Sequence, residues 1–167
     1  MIVSNASPLI YLAKAERLSL LNELFGEVHV PRKVKEGTVD VGKERGESDA
    51  LIIENSVEDG WIVVHEVEPR DVPFDIEEGE IAALSLAKEL EIREVLVDEA
   101  PARKAARMMD LEPRGTVYVL LSALKRGKFD LDDLLETLDD LVEKGFRLKE
   151  EVYVKAIRRA REIAGNK

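Results

Sequence analysis

Residues 1–12, MIVSNASPLIYL, decide how the rest of the chain is read. Ile2, Val3 and Ser4 make a short, largely apolar run of the kind that forms a buried strand. The run delivers Asn5 and Ser7 to its carboxyl tip just before Pro8, a residue suited to the opening of a helix. A strand passing directly into a helix begins a βαβ unit, so the stretch predicts a parallel sheet with polar groups at its strand tips. Working outward, three later places send acids to the same edge: Glu36, Glu80, and the pair Asp98 and Glu99. Carboxylates gathered at strand ends point to a divalent metal and phosphate chemistry. The first strand, however, contributes an amide.

The alternation continues along the chain. An apolar helix or helix pair through Leu9, Leu12, Leu21 and Leu24 stops at Gly26, and a strand over 27–30 follows. Pro31 is expected to open the helix that carries Glu36. Gly42 and Gly46 punctuate a charged turn before a helix over 49–58, and β-branched content predicts a strand over 61–65. The next helix takes Asp75 as N-cap, with Glu78 closing a capping box. Glu80 then shares a face with Ile76, Ala83, Leu84 and Ala87, where a carboxylate is costly unless paired or bound to a cation. Val95–Val97 is a buried strand ending at Asp98, and Ala100-Pro101 starts another helix. A brief strand over 111–113 reaches Arg114, and a helix over 117–125 follows. Beyond residue 128 the leucines of 131–141, then Val152, Ala156, Ala160 and Ile163, form two amphipathic stripes separated by Gly145. They predict a helical hairpin on an α/β core, the whole being one domain with a core at 1–128 and the hairpin at 129–167.

Composition narrows the function classes. The chain has 167 residues and no cysteine, which excludes disulfides, zinc-thiolate sites and thiol nucleophiles. No apolar run reaches membrane-spanning length and no signal peptide is evident, so a soluble cytoplasmic protein is expected. Charged residues make up 36% and glutamine is absent, a bias of proteins that work hot. The net charge of −10 argues against binding nucleic acid through its overall charge, so any such contact needs a local basic patch or metal ions.

Each candidate has a plainer reading. Asp98 also suits the cap of the helix that follows it, Ser7 and Thr116 suit helix starts, and Glu36 suits a solvated helix face. Arg103 and Arg107 suit the wet side of their helix. His29 and His65 read as ordinary strand residues.

Six stretches, VSNASPLIYLAKAERLSLL, PRKVKEG, GEIAALSLAKEL, VLVDEAPARKAA, RGTVYVLLSALKRG and EKGFRLKEEVY, together resemble a PIN-domain protein, in an archaeal and bacterial branch related to VapC-type toxins. The resemblance spans nearly the whole chain in order. It implies a three-layer α/β/α fold with a short five-stranded parallel sheet, and a toxin-like endoribonuclease dependent on Mg2+ or Mn2+. It carries Asn5, Glu36, Glu80 and Asp98 into the family's acidic positions, with Glu99 adjacent; Glu36, Glu80 and Asp98 are the expected catalytic acids. Asn5 departs from the family's Asp and removes one negative charge, so weaker metal binding is expected. Ser7, Arg103, Arg107, Arg114 and Thr116 are the expected RNA contacts. A homodimer and a small antitoxin partner are further implications, and the tail stripes add an apolar reason to associate. The rival is a catalytically weakened PIN-like module that binds RNA or a protein. A phosphatase with an aspartyl nucleophile on the first strand is disfavoured, because Asn5 cannot be that nucleophile.

Overall fold

Five strands of three or four residues form the sheet: β1 (Ile2–Ser4), β2 (Val28–Pro31), β3 (Ile62–His65), β4 (Glu94–Leu96) and β5 (Glu112–Arg114). In this computed structural model, which describes residues 1–72 and 74–166, all pairings are parallel and the order is β3-β2-β1-β4-β5. Lys167, the expected end of the hairpin, lies outside the described residues. Parallel strands are apolar on both sides because helices cover both. Ile2 and Val3, adjacent in β1, accordingly enter different cores.

Ile2 belongs to the larger core. Its helices are α1 (Ala6–Lys14), α2 (Ser19–Phe25), α3 (Arg32–Lys35), α5 (Ser48–Glu58), α8 (Thr116–Lys125), α9 (Leu131–Glu143) and α10 (Glu150–Gly165). A π-type turn over Glu36–Asp40 joins α3 to α4 (Val41–Glu44). Val3 belongs to the second core, filled by Ala83, Leu84 and Ala87 of α6 (Glu78–Leu90) and by Ala102, Ala105 and Ala106 of α7 (Ala100–Met108). The result is the expected three-layer α/β/α arrangement. Because α6 leads into β4, it runs antiparallel to the strands and brings its first turn to their carboxyl edge.

Several local expectations are corrected. Gly42 is not in a turn; it is buried in α4, where a Cβ would meet that of Ala50 at 2.7 Å, so its lack of a side chain lets α4 and α5 touch. Pro31 ends β2 as the N-cap of α3 instead of opening the helix. The cap of α6 is Glu77, not Asp75, and the acid that completes the capping box is Glu80, not Glu78. The tail stripes are largely covered within the chain: Leu134, Leu138, Leu141, Ala156, Ala160 and Ile163 are buried, and Val152 is exposed. The apolar reason for a dimer therefore falls away.

The two histidines are also more than separate strand residues. Nδ1 of His29 and Nε2 of His65 lie 2.8 Å apart across β2 and β3, at hydrogen-bonding distance. His29 Nε2 is buried without a hydrogen-bond partner among the described residues, and Glu27 Oε1 stands 3.6 Å from it.

Candidate active site

Asn5 follows β1 directly and is 6% exposed. Its N–H donates to Leu96 O at 3.0 Å, which fixes the tip of β1 beside β4. It stands at the N-cap of α1, yet its side chain makes no capping hydrogen bond, so the usual reason for asparagine at this position is absent. The first turn of α6 approaches it instead. A methyl group built on Gly79 would stand 3.7 Å from Asn5 Oδ1.

Glu80 occupies that same turn and is 5% exposed. One oxygen serves the helix start: Oε1 accepts the Glu77 N–H at 3.1 Å. The other, Oε2, is buried with no hydrogen-bond partner among the described residues. Burial pushes this carboxyl above the ordinary glutamate range; the Glu77 N–H opposes the shift, and the charges of Glu77 and Glu99 reinforce it.

Asp98 lies just past β4 and is half-buried. Its Oδ1 accepts the Thr116 N–H at 2.8 Å and its Oδ2 accepts the Thr116 hydroxyl at 2.7 Å. The acid thus serves the start of α8, not that of α7, the helix directly after it. Gly115 permits this approach, because a Cβ there would lie 3.1 Å from Asp98 Oδ1 and 3.2 Å from Arg103 Nη1. Arg103 is half-buried and donates from Nη1 to Val97 O at 3.1 Å. Burial raises the Asp98 pKa, the two Thr116 bonds and the Arg103 charge draw it down, and Glu99 pushes it up. Arg103 is itself lowered by burial and by neighbouring Arg107, and raised by Asp98.

The remaining expected residues divide. Glu99 is exposed, and its charge acts on both Glu80 and Asp98, which ties the two acids to one neighbourhood. Glu36 is exposed on the π-type turn, where its charge acts on Arg32, and it is not among the residues that line the cleft at Asp98 and Glu99. Arg114 is already engaged by Glu94 at 3.1 Å and Glu112 at 3.3 Å. Ser7, Arg103 and Arg107 line a cleft of about 940 Å³ that opens from Asp98 and Glu99. Tyr118, Arg147 and Lys149 also line it. Sequence reasoning missed these three. The signal available for two of them was the pair of cations, Arg147 and Lys149, in the linker between Gly145 and α10.

The donors fit a metal ion in part. Glu80 Oε2, buried with no hydrogen-bond partner among the described residues, and Asn5 Oδ1, which makes no capping bond, are oxygen donors of the kind a hard divalent cation takes. Among the described residues no three histidine, aspartate or glutamate side chains are grouped so as to hold a metal. An amide at position 5 removes one carboxylate from such a group. The set therefore suits one weakly held ion, completed by water, better than a two-ion centre.

Comparison with curated proteins and with solved structures returns no match. A family model, DUF3368, described as a PIN domain, matches residues 1–162. PIN domains are generally nucleases, usually with divalent metals. With the parallel sheet and the strand-tip acids already in place, that match over nearly the full length means that the chain belongs to the PIN-domain family.

Proposed function

We propose that this chain is a metal-dependent endoribonuclease of the toxin-like kind, holding one Mg2+ or Mn2+ ion at Glu80 and Asn5 with Asp98 and Glu99 beside it. The observation that carries this reading is the buried, unpartnered Oε2 of Glu80. A carboxylate oxygen without a donor is expensive to bury, and a cation is the partner that removes the cost. When bound, the ion supplies an activated water and neutralises charge on a phosphodiester.

The chain's own residues do the rest. Glu80 holds its carboxylate rigidly because the Glu77 N–H fixes one oxygen. Asp98, fixed by Thr116, keeps negative charge at the tip of β4 and orients what binds beside it. Arg103 and Arg107 face the phosphate from α7. Glu36 stands in this scheme as an outer acid and not as a ligand. RNA is the substrate, and a small antitoxin is the partner expected of a toxin-like member.

One observation favours a second reading. With Asn5 neutral and both Asp98 oxygens engaged, the second reading is a weakened module that grips RNA or a protein without cutting it. Mn2+ titration calorimetry and RNA cleavage on the wild type and on Glu80→Gln separate the two. The nuclease reading expects Mn2+ heat and Mn2+-dependent cleavage, both lost in Glu80→Gln. Wild-type protein that neither binds Mn2+ nor cleaves RNA leaves the binding module standing.

A further inference from the structure

A second group of donors lies at the amino edge of the sheet, away from the strand-tip acids. His29 is the second residue of β2, and Glu27 stands just before that strand. Two residues apart along an extended chain, their side chains fall on one face. Asn5 and Asp98 follow β1 and β4 and so lie at the opposite, carboxyl edge.

His29 is 8% exposed, and its two ring nitrogens are in different situations. Nδ1 lies 2.8 Å from Nε2 of His65, a full hydrogen bond between the rings. Nε2 is buried with no hydrogen-bond partner among the described residues. Glu27 Oε1 stands 3.6 Å from it, too far for an N–H···O bond, which spans roughly 2.7–3.2 Å. A neutral imidazole has one N–H and one lone pair, so the ring can be placed in two ways. If His29 donates from Nδ1, its Nε2 lone pair faces a carboxylate, and two acceptors are left with nothing between them. If His65 donates instead, an Nε2–H is buried without an acceptor in reach. Either way Nε2 is unserved, which is costly in a buried place.

The 3.6 Å gap suits a shared metal ion. An imidazole nitrogen and a carboxylate oxygen on one tetrahedral zinc ion stand roughly 3.3–3.5 Å apart, given bonds of about 2.0–2.2 Å. Imidazole with carboxylate favours zinc and its neighbours, whereas Mg2+ and Mn2+ prefer oxygen alone. A ligating histidine characteristically donates its other N–H to an outer partner, and His65 Nε2 is in place to accept it. Glu27 is 54% exposed, so water reaches the gap from its side.

We infer that His29 Nε2 and Glu27 Oε1 bind one zinc-class divalent ion completed by water, with His65 as the positioning residue that accepts the His29 Nδ1–H. The site is independent of the nuclease reading and chemically unlike the strand-tip oxygens, so the two edges of the sheet sort metals by ligand type. Because His29 belongs to β2 and His65 to the edge strand β3, the ion also stiffens that pairing.

The test follows the histidine ring nitrogens by two-bond 1H–15N NMR of the full chain carrying Glu80→Gln, so that the strand-tip acids do not supply the site. Zn2+ alone is the probe and Mg2+ the contrast. With Zn2+, His29 is expected to hold its proton on Nδ1 while its Nε2 resonance shifts, and Mg2+ is expected to leave the ring unchanged. By calorimetry, Glu27→Gln, at an exposed position, is expected to weaken Zn2+ binding on the order of tenfold or more. His65→Leu is expected to cost about 10- to 100-fold, the usual loss for an outer partner, and His65→Gln, which keeps an acceptor, to restore most of it. A His29 ring unmoved by Zn2+, an equal response to Mg2+, or unchanged affinity in Glu27→Gln would each overturn the assignment. So would a proton found on Nε2 at saturating Zn2+, since a proton alone would then fill the gap.

Discussion

Asp98 takes two hydrogen bonds from Thr116, one from its N–H at 2.8 Å and one from its hydroxyl at 2.7 Å, across eighteen residues of chain. The bond pair joins the tip of β4 to the first residue of α8, so one carboxylate both caps a helix and charges the site. Thr116→Val keeps the shape and removes the hydroxyl donor, leaving Asp98 Oδ2 half-buried without that partner. A loss of about 1–3 kcal/mol is expected in urea unfolding, with Thr116→Ser close to wild type.

Asn5→Asp supplies the charge missing from the family pattern. Without metal the new carboxylate adds repulsion near Glu80, so the melting temperature should fall. With Mn2+ the order should reverse, and affinity by calorimetry should rise about tenfold or more, a gain of about 1.4 kcal/mol. Asp98→Asn should move affinity in the opposite direction. Unchanged affinity in both variants would falsify the metal assignment.

Glu80→Gln should stabilise the metal-free protein at neutral pH. The sign follows from the raised carboxyl: the folded state binds a proton more tightly than the unfolded chain, so stability falls as pH rises from the unfolded pKa to the folded one, and the loss is complete above the folded pKa. Glutamine keeps the capping geometry and has no charge to bury. A gain of about 1 kcal/mol, or roughly 2–4 °C in melting temperature, is expected by calorimetry in EDTA. The gain should disappear when both proteins are melted in saturating Mn2+.

The histidine pair predicts loss of stability on acidification. Burial lowers the His29 pKa, the His65 charge and the N-terminal amine add to this, and Glu27 opposes it. The unfolded chain therefore takes up a proton near pH 6.5 while folded His29 does not, and stability falls below that pH by up to about 1.4 kcal/mol per pH unit until the folded pKa is reached. Denaturation at pH 7.5, 6.5 and 5.5 checks this. His29→Asn should flatten the profile across that window.

Much of this molecule is legible in its sequence, and the failures have physical causes. The five strands are found because a parallel sheet buried on both faces needs uninterrupted apolar runs, as in Val95-Leu96-Val97. Glu80 stands out because a charge on an apolar helix face has no cheap explanation. The cap of α6 is misassigned because several acids in 75–80 satisfy the capping pattern locally, Asp75 with Glu78 as well as Glu77 with Glu80, and the spacing alone does not choose between them. Asp98 is placed at a strand tip correctly, but its partner Thr116 belongs to a helix beyond another strand, a pairing that only the β4–β5 register reveals. The His29–His65 contact is hidden for the same reason, since it arises from neighbouring strands far apart in sequence. The tail stripes are visible as helices, while the surface that covers them belongs to the fold.

The position of β1 in the middle of the sheet also sets an order of events during synthesis. Val3 pairs with His29 on one side and with Val95 on the other. A ribosome adding about 5–20 residues per second delivers the first of these partners within seconds, but the second only after α6 has emerged. Until then β1 waits with an unpaired edge, which is where a nascent chain is most exposed to wrong pairing. Refolding of the full chain is therefore expected to be limited by closure of the β1–β4 contact, the longest loop in the sheet, and to be slow for a protein of its helix content.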